Sequence, residues 1–250
     1  MYIINMDINK NLEICISAVT LAGNFLKENK DKLNITNSSQ GRDIKLVADI
    51  ESEKLITEYL QANSDYPILG EEAGQSKDLG SIYWVVDPLD GTANFSRNIP
   101  ISCVSIALVE DKNPIIGAIN DFNNNDIFHG SIETKAFMNK NEISTSLVDD
   151  KSQATLITGL PVNTDYSNES MKKFIQDFKT WKKIRMLGSA AMAAAYIASG
   201  RADVYKESGT NLWDIAAGVA IVRAAGGKAK ISNLKDDFSL DIHISNGLLS

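Results

Sequence analysis

The chain has 250 residues, 44% hydrophobic and 23% charged, and a formal charge of −7. That balance is the one of a folded globular protein; the negative charge disfavours a nucleic-acid binder, which would carry a basic stripe, and no apolar run approaches the ~20 residues of a membrane span. The segment from Met1 to Asp7 has no basic flank or signal-type cleavage site, and Cys15 and Cys103 fall in predicted helix and strand cores, so free buried thiols in a reducing cytoplasm are expected.

Leu12, Ile16, Val19, Ala22 and Leu26 keep helical spacing and predict an amphipathic helix over 9–29. The polar stretch 31–42 reads as a loop, after which Asp43 is expected to cap a second helix carrying Leu46, Ile50, Ile56, Tyr59 and Leu60. Asp49 falls in the second turn of that helix, where pattern alone makes it a solvated acid. Pro67-Ile68-Leu69-Gly70-Glu71-Glu72 is a short apolar strand ending in two acids, either a surface turn or a strand end that delivers Glu71 to a site. The run 82–86 is aromatic and β-branched and predicts a buried strand that gives way at Asp87 to Asp87-Pro88-Leu89-Asp90-Gly91-Thr92. Two carboxylates three residues apart, followed by Gly-Thr, can set several oxygens around one point. Such a cluster repels itself unless a cation sits there, and oxygen-only ligands suit a hard divalent ion such as Mg²⁺. An ordinary Asx turn is the alternative.

Strands are predicted over 101–109, 114–119 and 126–131, the last two joined by an Asn-rich turn, in a meander. The polar segment 140–153 marks a boundary between an N-terminal α+β domain, 1–145, and a C-terminal α/β domain, 146–250. The second half alternates strands over 154–158, 183–187, 203–205, 228–231 and 241–244 with helices over 168–178, 189–199 and 212–225, an α/β pattern. Gly188-Ser189-Ala190-Ala191 opens an alanine-rich helix whose free N–H groups suit an anionic or hydroxyl-rich ligand, or else a tight helix contact. Asp214 stands in the first turn of the last long helix, where an acid is commonplace. His129 and His243 lie on predicted strands away from every motif and read as structural.

Together, G-E-E at 70–72, D-P-L-D-G-T at 87–92, G-S-A-A at 188–191 and W-D at 213–214 resemble the inositol monophosphatase family of lithium-sensitive, Mg²⁺-dependent phosphatases, over nearly the whole chain. The resemblance implies a layered αβαβα sandwich, two or three Mg²⁺ ions and a homodimer. It implies that Glu71, Asp87, Asp90 and the Leu89 carbonyl ligate metal, with Asp214 joining Asp90 at a second ion. It pairs Thr92 with Asp49 to orient the attacking water, with Glu71 beside them. Asp90, Gly91, Thr92 and Asp214 would meet the substrate, as would Gly188, Ser189 and Ala190, and Glu207 would take a substrate hydroxyl. The implied activity is hydrolysis of a small phosphate monoester of a polyol or sugar by metal-activated water, with no nucleic-acid or membrane partner.

Three readings compete. A haloacid-dehalogenase phosphatase needs D-x-D, with both acids on one side of the strand, and the spacing here is D-x-x-D. A bisphosphate nucleotidase of the same family carries Lys-Glu after D-G-T where this chain has Ala93-Asn94, while histidinol phosphate remains a candidate substrate. A non-catalytic regulatory protein would be expected to have lost at least one acid. Lys206, beside Glu207, either faces the pocket to bind a second anionic group or points to solvent.

Overall fold

The computed structural model describes residues 6–40, 43–75, 78–161 and 164–249; the segment before Met6 and the loop positions 41 and 42 lie outside the described residues. Helix α1 (Ile8–Glu28) starts where the Asp7 carboxylate accepts the Lys10 N–H at 2.9 Å, and a single turn, α2 (Lys30–Leu33), follows it. The stretch expected to be a loop continues into strands β1 (Thr36–Gln40) and β2 (Asp43–Leu46), an antiparallel ribbon apart from the larger sheets. Ribbon pairing is made by backbone groups, so the polar side chains of 36–40 carry no alternating signal for it. Asp43 therefore lies in β2 and does not cap the second helix: α3 (Val47–Asn63) begins after Leu46.

Strands β3 (Ile68–Gly70), β4 (Gly74–Gln75) and β5 (Ile82–Asp90) come next, then the short helix α4 (Thr92–Ser96). The meander is β6 (Cys103–Glu110), β7 (Asn113–Asp121), β8 (Asp126–Ser131), β9 (Phe137–Met138) and β10 (Asn141–Glu142). These strands form one sheet in the order β10-β9-β8-β7-β6-β5-β3-β4. The second half contributes β11 (Thr155–Thr158), α5 (Asn168–Phe178), β12 (Lys183–Arg185), α6 (Ala190–Ala198), β13 (Val204–Asn211), α7 (Leu212–Ala224), β14 (Lys228–Ser232) and β15 (Ser239–Ser245). Its sheet runs β12-β11-β13-β15-β14, parallel at β12-β11-β13 and antiparallel from β13 onward. Strand β13 outruns its apolar residues because β15 pairs with it as far as Asn211.

Helices α1 and α3 cover one face of the larger sheet, α6 and α7 fill the space between the two sheets, and α5 lies over the outer face of the smaller one. The result is an αβαβα sandwich. Strand β5 is buried on both faces: Trp84 and Val86 join the core under α1 and α3, whereas Tyr83 and Val85 join the core around α6 and α7. A strand covered on both sides reads as a continuous apolar run, which is why 82–86 shows no alternation. The central core also draws Leu69 and Val85 together with Ile157, Tyr205 and Ile242, so the two halves of the chain share it. Among the described residues no helix is long and apolar enough to cross a membrane.

The middle layer is seated by backbone contact. A Cβ on Gly117 of β7 would lie 2.3 Å from the Ala217 carbonyl oxygen of α7, closer than any real contact. Gly117→Ala is therefore expected to push α7 off the sheet at a cost of about 1–3 kcal/mol, the range for overpacking a core. A thermal melt checks this, and an unchanged Tm would mean that α7 is not seated on β7 in this way.

Candidate active site

The D-P-L-D element does not end β5 at Asp87 but continues it through Asp90. Asp87 pairs with Ser105 and Asp90 with Cys103, so three steps along β5 match two along β6, and the strand bulges. Strict alternation would send residues three apart to opposite faces. The extra residue resets the phase: Leu89 packs under α1 and α3, while Asp87 and Asp90 both turn toward α6 and α7. The D-x-x-D spacing thus does place both acids on one side, contrary to the expectation from an unbroken strand. Pro88, which has no N–H to give to a ladder, sits within the bulge, a position where a sheet tolerates proline. Ser52 Oγ donates to the Pro88 carbonyl at 3.0 Å and ties the bulge to α3. Gly91 then turns the chain at φ +85°, where a Cβ would meet the Ile101 carbonyl oxygen at 2.7 Å.

Three helix N-termini face this bulge, and each is bound to one acid. Asp49, 1% exposed, is in the first turn of α3 and not a solvated acid of the second. Its Oδ2 accepts the Leu46 N–H at 2.7 Å, and Thr92 Oγ1 lies 2.8 Å from its Oδ1 and 2.9 Å from the Leu89 carbonyl oxygen. One hydroxyl proton serves one of those two acceptors at a time. Asp90 Oδ2 accepts from Ser189 Oγ at 2.5 Å and from the Ala191 N–H at 2.7 Å, while the Ala190 N–H reaches Oδ1 at 3.4 Å. The α6 N–H groups expected to be free for a ligand are thus taken by Asp90. Gly188 approaches from the same turn, where Asn94 Nδ2 donates to the Leu187 carbonyl at 2.8 Å. Asp214 Oδ2 accepts from the Asn211 N–H at 2.8 Å and Thr210 Oγ1 at 2.7 Å at the start of α7.

Glu71, just beyond β3, and Asp87 have no such helix. They hydrogen-bond to each other, which requires a shared proton. Behind Glu71, the buried Glu53 accepts the N–H groups of Glu72 and Ala73 at 2.8 Å each and shapes the turn. Neither Glu53 nor Ser52 was singled out from sequence, although Asp49, Ser52 and Glu53 fall at i, i+3 and i+4 and so share one helix face. Cys103, with its thiol 3.8 Å from Asp90 Oδ2, is a further neighbour that sequence analysis read only as core.

Glu207 borders the same space from β13, with its carboxylate against Gly159: a Cβ there would stand 2.2 Å from Oε2. Lys206 leaves from the opposite side of the strand. It pairs with Asp177 of α5 and lies over the Trp181 ring, 5.8 Å from its centroid, with 32% of its side chain exposed. His243 is across from Lys206 on β15, and His129 contacts the Asn139 carbonyl on the far sheet.

Burial and mutual repulsion raise these acids together. Burial pushes Asp49 up to about 6, and burial followed by the charge of Asp214 pushes Asp90 up to about 7 and Glu207 up to about 8. Burial raises Asp214 too, and it lifts Glu71 and Asp87 well above the usual carboxylate range, reinforced by neighbouring acids. Protons or cations relieve such a cluster. Its donors are all oxygens, as a hard cation requires. Among the described residues no three of these side chains already stand in coordinating positions, and Asp49, Asp90 and Asp214 give oxygens to protein donors. The donor chemistry fits a divalent ion, with Glu71, Asp87, Asp214 and the Leu89 carbonyl as the groups that could turn to it.

The model of the inositol monophosphatase family matches residues 7–241. "Nus factor SuhB" of Xylella fastidiosa is 38% identical over 220 residues, 86% of this chain and 80% of the relative. "Inositol-1-monophosphatase" of Synechocystis sp. is 33% identical, over 88% of this chain and 78% of that one. Among solved structures, inositol monophosphatase from Anabaena superposes with a TM-score of 0.84 at 29% identity, covering 97% of this chain and 93% of that chain. The suhB protein of Bartonella henselae gives 0.86 at 27% identity, over 95% and 94%. With the family model covering nearly its whole length, the chain belongs to the inositol monophosphatase family.

Proposed function

We propose that the chain is a Mg²⁺-dependent phosphatase that hydrolyses a small phosphate monoester of a polyol or sugar, working in the cytoplasm as a homodimer. The observation that carries this reading is the convergence of Glu71, Asp87, Asp90 and Asp214 beside the Thr92–Asp49 pair. The family is generally metal-dependent. A divalent ion bound among these acids would supply Lewis acidity, making bound water more acidic and neutralising phosphoryl oxygens.

The residues then divide the work. With Asp49 as acceptor, Thr92 gives its proton away, and its lone pairs are free to accept a hydrogen bond from water. That bond aims the water's remaining lone pair at phosphorus, and Asp49, with its raised pKa, can receive the proton that the attack releases. The water oxygen–phosphorus bond forms, the phosphorus–alkoxide oxygen bond breaks, and the departing alkoxide takes up a proton. No covalent intermediate is needed, and Cys103, the thiol nearest the site, is buried with its pKa raised by burial and adjacent acids. Glu207 faces the leaving group and accepts one of its hydroxyls. Lys206, held by Asp177, adds no charge there, which favours an ester with one phosphate over a bisphosphate.

A binding role without catalysis is the second reading, prompted by the relatives named "Nus factor SuhB". The complete acid set supports catalysis over it.

The expected outcome of a phosphate-release screen over inositol, sugar, histidinol and nucleotide phosphates is turnover with Mg²⁺ and loss with chelator. Equal turnover in EDTA and Mg²⁺ would refute the metal-dependent reading. Glu207→Gln should shift the preference among those substrates, since a hydrogen bond to a charged group contributes about 1.5–3 kcal/mol, and should leave the Mg²⁺ requirement in place. The acids also make a stability prediction. Raised above their unfolded values, Asp49, Asp90 and Glu207 hold protons that the unfolded chain releases, so their contribution is present at low pH and lost as pH rises through about 6 to about 8. Metal-free protein should therefore melt higher at about pH 5 than at about pH 8.5, and added Mg²⁺ should raise Tm most at the higher pH. A metal-free Tm that climbs across that range would show the acids to be individually satisfied.

A further inference from the structure

Among the described residues, four buried polar atoms have no well-formed hydrogen bond: Ser105 Oγ, His129 Nδ1, Tyr205 Oη and Trp213 Nε1. Tyr205 differs from the others in what surrounds it. It is 1% exposed on β13, with its ring in the central core between Ile157 and Ile244 of the adjoining strands. It lies two residues before Glu207, on the same side of the strand. After burial itself, the charges that raise its hydroxyl's pKa are those of Glu207 first, then Asp214 and Asp90. Glu207 is near enough to act as acceptor, yet the bond is not closed in the geometry of a formed hydrogen bond. A core aromatic that needed only to fill space would be served by phenylalanine, because a buried hydroxyl without a partner is a cost.

Glu207 is held loosely by comparison. Its carboxylate lies against Gly159, where the lack of a side chain makes room for it, and among the described residues no backbone N–H is bonded to it. Once a bound cation favours its ionised form, the carboxylate has two acceptor oxygens and no donor. One oxygen can take Tyr205 O–H while the other takes a hydroxyl of the leaving group. Tyr205 itself is too deeply buried to touch substrate.

We propose that Tyr205 is a positioning residue: its hydroxyl donates to the Glu207 carboxylate and sets the direction in which that carboxylate receives a leaving-group hydroxyl. The inference rests on the phosphatase reading and adds to it how hydroxylated leaving groups are selected. Trp213, whose indole N–H is also unpaired among the described residues, adjoins Asp214.

The test is Tyr205→Phe assayed with Mg²⁺ on two esters, inositol monophosphate and phenyl phosphate, whose leaving groups differ in having hydroxyls. The expected result is a KM for the inositol ester raised about tenfold, the scale of one hydrogen bond to a charged group, with phenyl phosphate kinetics unchanged. The metal-free Tm should stay level or rise, because in that state the hydroxyl has no formed hydrogen bond to lose and closes onto Glu207 only when that carboxylate is ionised. In a Glu207→Gln background the same change should add little, since the two groups act as one unit. Equal losses on both esters, independent additive effects with Glu207→Gln, or a variant that melts lower or fails to fold would each overturn the inference. Turnover without the split between esters overturns it alone. Absence of turnover of either ester by the unaltered protein would overturn the phosphatase reading and this inference with it.

Discussion

Gathering negative charge in a dry place is the constraint to which this structure answers. Six acids from the turn after β3 and from β5, α3, β13 and α7 point into one buried region, where like charges raise one another's free energy. The fold meets this with the positive ends of three helices. Asp49 is bound at the start of α3, Asp90 at α6 and Asp214 at α7, each through backbone N–H groups that would otherwise lack partners. The same bonds orient the helices, so the charge problem and the packing of the middle layer have one solution. Glu71 and Asp87 have no helix end, only each other and, for Asp87, the Leu89 N–H at 3.0 Å, and they are the pair most in need of a proton or a cation.

The bulge in β5 makes the arrangement possible. A regular strand would have sent Asp90 into the core beneath α1 and Leu89 toward the acids. One inserted residue reverses both and raises the local twist where the strand meets the turn at Gly91. Proline is suited to that place, having no ladder donor to waste, and Ser52 secures its carbonyl from the helix behind. The site is therefore held from two layers at once, by α3 from outside the larger sheet and by α6 and α7 from the space between the sheets.

The two faces of β13 have separate tasks. Tyr205 and Glu207 turn inward to the acids, while Lys206 turns outward and is neutralised by Asp177 of α5. A cation one residue from Glu207 thus does not compete with any metal for the acids. The outer layer holds that lysine, which links the loosely packed α5, without a fully buried residue of its own, to the strand that carries Glu207.

Local chemistry along the chain determined a good deal. The apolar periodicity of α1, the unbroken run of β5, the meander and the alternation of the second half all follow from which side chains must be buried along their own backbone. Glu71, Asp87, Asp90, Thr92 and Asp214 stood out as a set through the resemblance their motifs carry, since an acid in the first turn of a helix or at a strand end is commonplace by itself. What the sequence could not decide was direction. Asp49 looks like a solvated helix acid until the β1–β2 ribbon delays the start of α3 and turns its first residues inward. Asp87 and Asp90 look incompatible with one face until pairing with β6 inserts the bulge. Ser52, Glu53 and Tyr205 look like ordinary helix and core positions until the sheets bring a backbone carbonyl to the first, backbone N–H groups to the second and acids to the third. Periodicity records whether a side chain is buried; which neighbour it meets depends on pairing and packing between segments far apart in the chain, and that only the tertiary structure settles.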